Sequence, residues 1–148
     1  MVQIGDGAIF QIGILVRDID AAAEAWASVM GVEKPPIDIT DEYKDSRAVY
    51  NGEPTTGRCK VAHVQCGPMD VELIEPDDRP TIWRDCLDKD GEGLHHVAFK
   101  CDDMDKGVAV MESLGFPLVQ RACFDGGQYA YFDSVDKLKT ITELLYEE

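Results

Sequence analysis

The chain has 148 residues, 45% of them hydrophobic, and 29 Asp and Glu outnumber 14 Lys and Arg to leave a net charge of −15. That length accommodates one domain or two very small modules sharing a core, and no apolar run approaches the roughly 20 residues of a membrane helix. The charge argues against nucleic acid and anionic membrane surfaces as partners, since both are polyanions, and against a highly phosphorylated substrate unless Lys and Arg cluster locally; otherwise it serves solubility.

The first periodic segment reads as a strand. Phe10, Ile12, Ile14 and Val16 share one face, and Gln11, Gly13 and Leu15 the other. Asp18 is placed to cap a helix with the stripe Ile19, Ala22, Ala23, Trp26 and Val29, and Gly31 to stop it. Glu33 to Lys44 is a proline-bearing loop with room for a short strand. Arg47–Tyr50, Lys60–Gln65 and Val71–Ile74 follow as strands, with turn signals at Asn51-Gly52 and Gly67-Pro68. Asp77 to Gly93 is a link whose middle, Thr81–Leu87, forms a short helix presenting Trp83 and Leu87 together.

From His96 the pattern is written again. His96 to Asp105 repeats Gln11 to Asp20 at an offset of 85 residues, and the stripe returns as Met104, Gly107, Val108, Met111 and Leu114, between Asp103 and Gly115. Strands at Pro117–Arg121 and Gln128–Phe132 flank the turn Asp125-Gly126-Gly127. The stretch Thr142 to Leu145 echoes Val71 to Ile74. The expected fold is α+β: two tandem βαβββ modules, about residues 8–76 and 93–148 with a linker at about 77–92, forming one curved mixed sheet in a single domain.

Alternation then sorts the polar residues. Bulky apolar side chains of each first strand belong under the helix, which leaves Gln11 and His96 on the opposite, open face, each followed two positions later by a small residue, Gly13 or Ala98. Glu72 and Glu143 occupy equivalent places in the last strands. Four ligand-capable side chains, Gln11, Glu72, His96 and Glu143, are thus expected to converge on one divalent metal ion. His95 points with Val97 and Phe99 toward the helix side and reads as structural. If Gly67-Pro68 is a two-residue turn, His63 falls opposite Glu72 and faces the cup, whereas a one-residue slip turns it away. Tyr129 and Tyr131 share a face and either line the cup or pack at its rim.

Five cysteines, Cys59, Cys66, Cys86, Cys101 and Cys123, are odd in number and scattered, which fits reduced thiols. Met1 to Gly7 lacks the basic-then-apolar pattern of a leader, so a cytoplasmic location is expected.

On these residues the chain resembles the vicinal oxygen chelate superfamily, which includes glyoxalase I, methylmalonyl-CoA epimerase, extradiol dioxygenases, and fosfomycin and bleomycin resistance proteins. The resemblance spans nearly the whole chain. Its most specific piece, Asp88 to Phe99, is similar to the corresponding stretch of methylmalonyl-CoA epimerases. It implies a metal-holding cup with ligands at Gln11, Glu72, His96 and Glu143, and a homodimer. The family's dioxygenases carry His at the Gln11 position and its fosfomycin enzymes carry His at the Gln11 and Glu72 positions, so this chain departs from both. Its ligand order resembles that of eukaryotic glyoxalase I. The epimerases run His, Gln, His, Glu and carry a carboxylate where this chain has Pro54 to Gly57.

The resemblance implies a lyase, isomerase or epimerase. A nickel, cobalt, zinc, manganese or magnesium ion would polarise a carbonyl of a small carbonyl or thioester substrate, and Glu143, with Glu72 opposite, would move the adjacent proton. The alternative is a binding protein of the bleomycin-resistance type, which sequesters a small molecule without catalysis.

Overall fold

The computed structural model describes residues 3–148; Met1 and Val2, the start of the segment read for a leader, lie outside the described residues. β1 (Ile9–Leu15) turns Ile12 and Ile14 toward the following helix, where they pack with Val16, and turns Leu15 to the other side. α1 (Ile19–Met30) begins where the Asp18 side chain accepts from the Ala21 N–H and ends on Gly31 at a left-handed φ of 66°. Ile19, Ala23 and Ala27 are its buried residues, while Val29, expected in the stripe, is 79% exposed. At about 100° per residue, the tenth residue after Ile19 has rotated off the buried face, and Ala27 holds that place instead.

The chain continues through β2 (Asp38–Ile39), the single turn α2 (Tyr43–Ser46), β3 (Val49–Tyr50) and β4 (Glu53–Pro54), then the long hairpin of β5 (Cys59–Cys66) and β6 (Met69–Pro76). α3 (Ile82–Asp90) fills the link. The second half runs β7 (Gly93–Lys100), α4 (Met104–Ser113), β8 (Leu118–Phe124), β9 (Gly127–Phe132), α5 (Val135–Leu138) and β10 (Ile141–Glu147). Asp103 caps α4 by accepting from the Lys106 N–H, as Asp18 caps α1.

These strands form one sheet in the order β2-β5-β6-β1-β7-β10-β9-β8-β3-β4. β1 and β7 pair antiparallel at its centre, flanked by the parallel pairs β1–β6 and β7–β10, so the two halves of one chain pair with each other. The segment Arg47–Tyr50 does not serve the first half as expected. Its strand, β3, pairs with β8 at the far edge, Val49 opposite Arg121 and Tyr50 opposite Gln120, while two-residue β2 takes the edge beside β5. An uncovered β8 edge would leave a row of unpaired backbone groups, and the β3–β4 hairpin covers it. Residues 40–58 therefore cross from one end of the sheet to the other.

Two apolar clusters lie under α1 and α4. A third lies inside the curve and joins Leu15, Ile74, Ile82, Trp83, Leu87, Tyr131 and Ile141. Nine residues are too few for α3 to persist alone in water. Burying an indole removes about 150–250 Å² from water, worth roughly 4–6 kcal/mol at 25 cal/mol per Å², so Trp83, 4% exposed, anchors the helix. Among the described residues no helix is long and apolar enough to cross a membrane.

Candidate functional site

The central seam sets the site. Gly13 lies opposite Glu72 on β6, and Ala98 holds the same relation to Glu143 on β10, so the two halves present matching carboxylates. Gly13 also lies opposite His96 across the seam. A Cβ on Gly13 would come within 2.1 Å of the imidazole Cε1, so only glycine leaves room for this ring. His96 Nε2 then lies 2.9 Å from Glu143 Oε2, 3.1 Å from Gln11 Oε1 and 3.9 Å from Glu72 Oε1. The ring and Glu143 are buried, and Glu72 is mostly so.

Gln11, Glu72 and Glu143 line a cavity of about 670 Å³, with His63, Tyr129 and Tyr131 also in its walls. Cys66 pairs with Met69 and His63 with Glu72, the register of a two-residue turn. The Tyr129 hydroxyl accepts from Gln120 Nε2 and the Tyr131 hydroxyl from Trp83 Nε1, which fixes both rings.

Asp70 is the residue that sequence reasoning missed. One of its oxygens accepts from Gln11 Nε2 at 2.8 Å and lies 2.9 Å from His63 Nδ1. An ionised carboxylate only accepts, so Asp70 takes the amide nitrogen and leaves Gln11 Oε1 facing His96. Burial alone would raise the Asp70 pKa, but the bonds from His63 and Gln11 outweigh it and hold it below the ordinary value. The signal was available: Asp70 precedes Glu72 by two residues, hence shares its face.

His95 also differs from expectation. The β1–β7 register steps from Gly13 opposite His96 to Ile14 opposite Leu94, a bulge that leaves His95 as the extra residue. The bulge breaks alternation and turns His95 to the cup side, where its ring meets Tyr131 at 5.4 Å between centroids. Its Nδ1 lies 2.9 Å from His96 Nδ1. Burial, helped by the charge of His96, drives the His95 pKa well below the ordinary value, so His95 is neutral. A charged His96, or one that uses Nε2 as a ligand, carries a proton on Nδ1, and His95 Nδ1 then accepts it. That bond leaves His96 Nε2 as the nitrogen directed at the cluster.

Three of the four candidate donors stand at spacings that a divalent ion accepts, and Glu72 stands farther out. Donors held about 2.1 Å from one ion at tetrahedral or octahedral angles lie roughly 3.0–3.4 Å apart. The distances from His96 Nε2 to Glu143 and Gln11, 2.9 and 3.1 Å, are close to this, and the 3.9 Å to Glu72 is longer. Glu143 Oε2 is buried, and its contact is the ion pair with His96 Nε2 at 2.9 Å, a pairing that a metal ion between the two would replace. Among the described residues no group of three or more His, Cys, Asp or Glu, the trio His96, Glu72 and Glu143 included, stands close enough to hold an ion by itself; Gln11 Oε1 is a further oxygen beside them, 3.1 Å from His96 Nε2. Burial opposes the charged form of His96, but Glu143 and Glu72 outweigh it and raise its pKa. Burial, reinforced by the charge of Glu143, pushes Glu72 up to about 7.

The chain matches the Glyoxalase/Bleomycin resistance protein/Dioxygenase superfamily over residues 10–132, and it belongs to that family. It is 28% identical over 110 residues to the uncharacterized protein YqjC of Bacillus subtilis, covering 74% of this chain and 69% of that one. Its fold is similar to that of the hypothetical protein BH1468 from Bacillus halodurans (TM-score 0.65, 18% identity, 95% of this chain and 94% of that one). Methylmalonyl-CoA epimerase from Mycobacterium tuberculosis shares it too (TM-score 0.63, 20% identity, 96% and 89%).

In chelator-treated protein, a Glu72 pKa raised from 4.5 to about 7 means that the folded chain keeps a proton which the unfolded chain releases. This contribution to stability is therefore greatest at acid pH and declines as pH rises across that window. Glu72→Gln is expected to remove that part of the slope and to exceed the parent at pH 8 by on the order of 1–3 kcal/mol, read from urea midpoints. Parallel pH profiles for the two proteins would show that Glu72 ionises as it does in water.

Proposed function

We propose that this chain is a lyase, isomerase or epimerase that removes and returns a proton next to a carbonyl, with one divalent metal ion held by Gln11, Glu72, His96 and Glu143. The observation that carries this reading is the convergence of the buried Glu143 carboxylate, 2.9 Å away, and the Gln11 amide oxygen, 3.1 Å away, on the buried His96 Nε2 in the cup wall. One imidazole nitrogen and three oxygens suit nickel, cobalt, zinc, manganese or magnesium, and the two carboxylates balance the charge. When bound, such an ion supplies Lewis acidity that polarises a carbonyl and acidifies the adjacent C–H.

Glu143 takes the proton. The C–H bond breaks, its electron pair passes into the carbonyl system, and the carboxyl holds the proton. Glu72 faces it from the other half and is placed to return a proton to the opposite face or to the neighbouring carbon. Asp70 holds His63 at the edge of Glu72, where it can hydrogen-bond the substrate. Tyr129 and Tyr131 wall the reacting end. Both carboxylates come from one chain, so a homodimer would carry two complete cups.

A second reading, a carrier that binds without catalysis, draws on the apolar side of the same cavity, where Phe10, Trp83 and Phe124 stand. Proton NMR in deuterated water, with α-hydroxyketones and small thioesters, separates the two. Loss of the signal of the hydrogen next to the carbonyl, abolished in Glu143→Gln, is expected of the enzyme. Tight binding without exchange would point to the carrier.

His95→Phe keeps the volume and removes the acceptor for His96. Metal affinity, read by competition with a chelating dye, is expected to fall roughly 10- to 100-fold with the melting temperature little changed. Undiminished affinity would assign His95 to packing alone.

A further inference from the structure

The cup has a charge as well as a shape. Asp70, Glu72 and Glu143 stand at its floor, and Asp38, Asp41, Asp125 and Glu147 add carboxylates at its exposed rim; no Lys or Arg lines it. Of the cations nearby, Lys100 is neutralised, and Arg58 is tied to the backbone outside the cavity wall with its charge unpaired among the described residues. Lys100 Nζ pairs with Glu147 at 3.1 Å, and Arg58 Nε donates to the Thr40 carbonyl at 2.7 Å. Discounting Glu147 for Lys100, Asp70 for His63, and Glu72 and Glu143 for a divalent ion still leaves Asp38, Asp41 and Asp125. Among the described residues these three make no ion pair. Phe10, Ile39, Val61, Trp83, Phe124 and Tyr129 give the remaining wall a broad apolar and aromatic part, beside Thr40, Ser46 and His63. The cavity that these carboxylates rim is the one whose wall holds Gln11, Glu72 and Glu143.

We propose that the cup selects substrate by charge: it takes an uncharged or ammonium-bearing carbonyl compound with an aromatic or other apolar body, and it rejects carboxylate- and phosphate-bearing ones. This narrows the proton-transfer reading above and rests on it. One of the solved epimerases of this fold is described in complex with methylmalonyl-CoA, which carries both phosphates and a carboxylate. In this chain such a ligand would meet unpaired carboxylates at the rim and no Lys or Arg in the cavity wall. A cation over the aromatic wall gains from both the carboxylates and the ring faces.

The test uses three 2-hydroxyacetophenones that differ only at the para position: trimethylammoniomethyl, methyl and carboxylate. Binding to the metal-loaded protein is read by quenching of tryptophan fluorescence, and exchange of the hydrogens next to the carbonyl by proton NMR in deuterated water. The carboxylate compound is expected to bind roughly 10-fold or more weaker than the methyl one at low salt, and the cation at least as tightly as the methyl one, with the spread shrinking as salt is added. In Asp41→Lys/Asp125→Lys the order of cation and anion is expected to reverse. Equal or tighter binding of the carboxylate compound, or binding of none of the three at millimolar concentration, overturns the proposal. Binding in the expected order without exchange in any compound leaves charge selection standing and removes the proton-transfer reading. Exchange with the carboxylate compound as fast as with the others does the reverse.

Discussion

Pairing of β1 with β7 across the centre of the sheet places Gly13 opposite His96, and the missing Cβ of Gly13 is what lets the imidazole lie across the seam. The parallel neighbours of the two seam strands then bring Glu72 and Glu143 to equivalent positions, one from each half. The same pairing joins the two halves of one chain, so that chain supplies all four side chains of the site. Helix packing on the outer face and the α3 plug on the inner one hold this geometry from both sides.

The same convergence is electrostatically costly. Two carboxylates and an imidazole are buried within a few ångströms of one another, and Glu72 answers by holding its proton to about pH 7. Asp70 and His95 limit the freedom of the cluster without joining it. Asp70 fixes which end of the Gln11 amide faces inward, and His95 fixes which nitrogen of His96 does. A divalent ion would relieve the repulsion between the carboxylates, which ties occupancy of the cup to the stability of its floor.

Much of this was legible in the sequence because duplication doubles every signal. The recurrence of Gln11 to Asp20 as His96 to Asp105 exposes both first strands, both aspartate caps and both helices, and strict alternation sends Gln11, Glu72 and Glu143 to one face. Alternation fails at His95 because a bulge adds a residue to one strand only, and neither side chain of the bulged pair announces it. The crossing of β3 to β8 is hidden for another reason. A strand's composition says that it pairs, not with which edge. Asp70 lay open to the same period-two argument as Glu72, but its role is to hold neighbours, and that is visible only once Gln11 and His63 stand beside it.

The central claim is that four side chains from two halves of one chain hold one divalent ion. Elemental analysis of protein purified without chelators and dialysed tests it most directly, with Glu143→Ala, His96→Ala and His63→Ala prepared alongside. About one equivalent per chain, lost in the first two variants and kept in the third, is the predicted result. No bound metal after incubation with nickel, cobalt, zinc and manganese, or a full equivalent retained in Glu143→Ala, would contradict it.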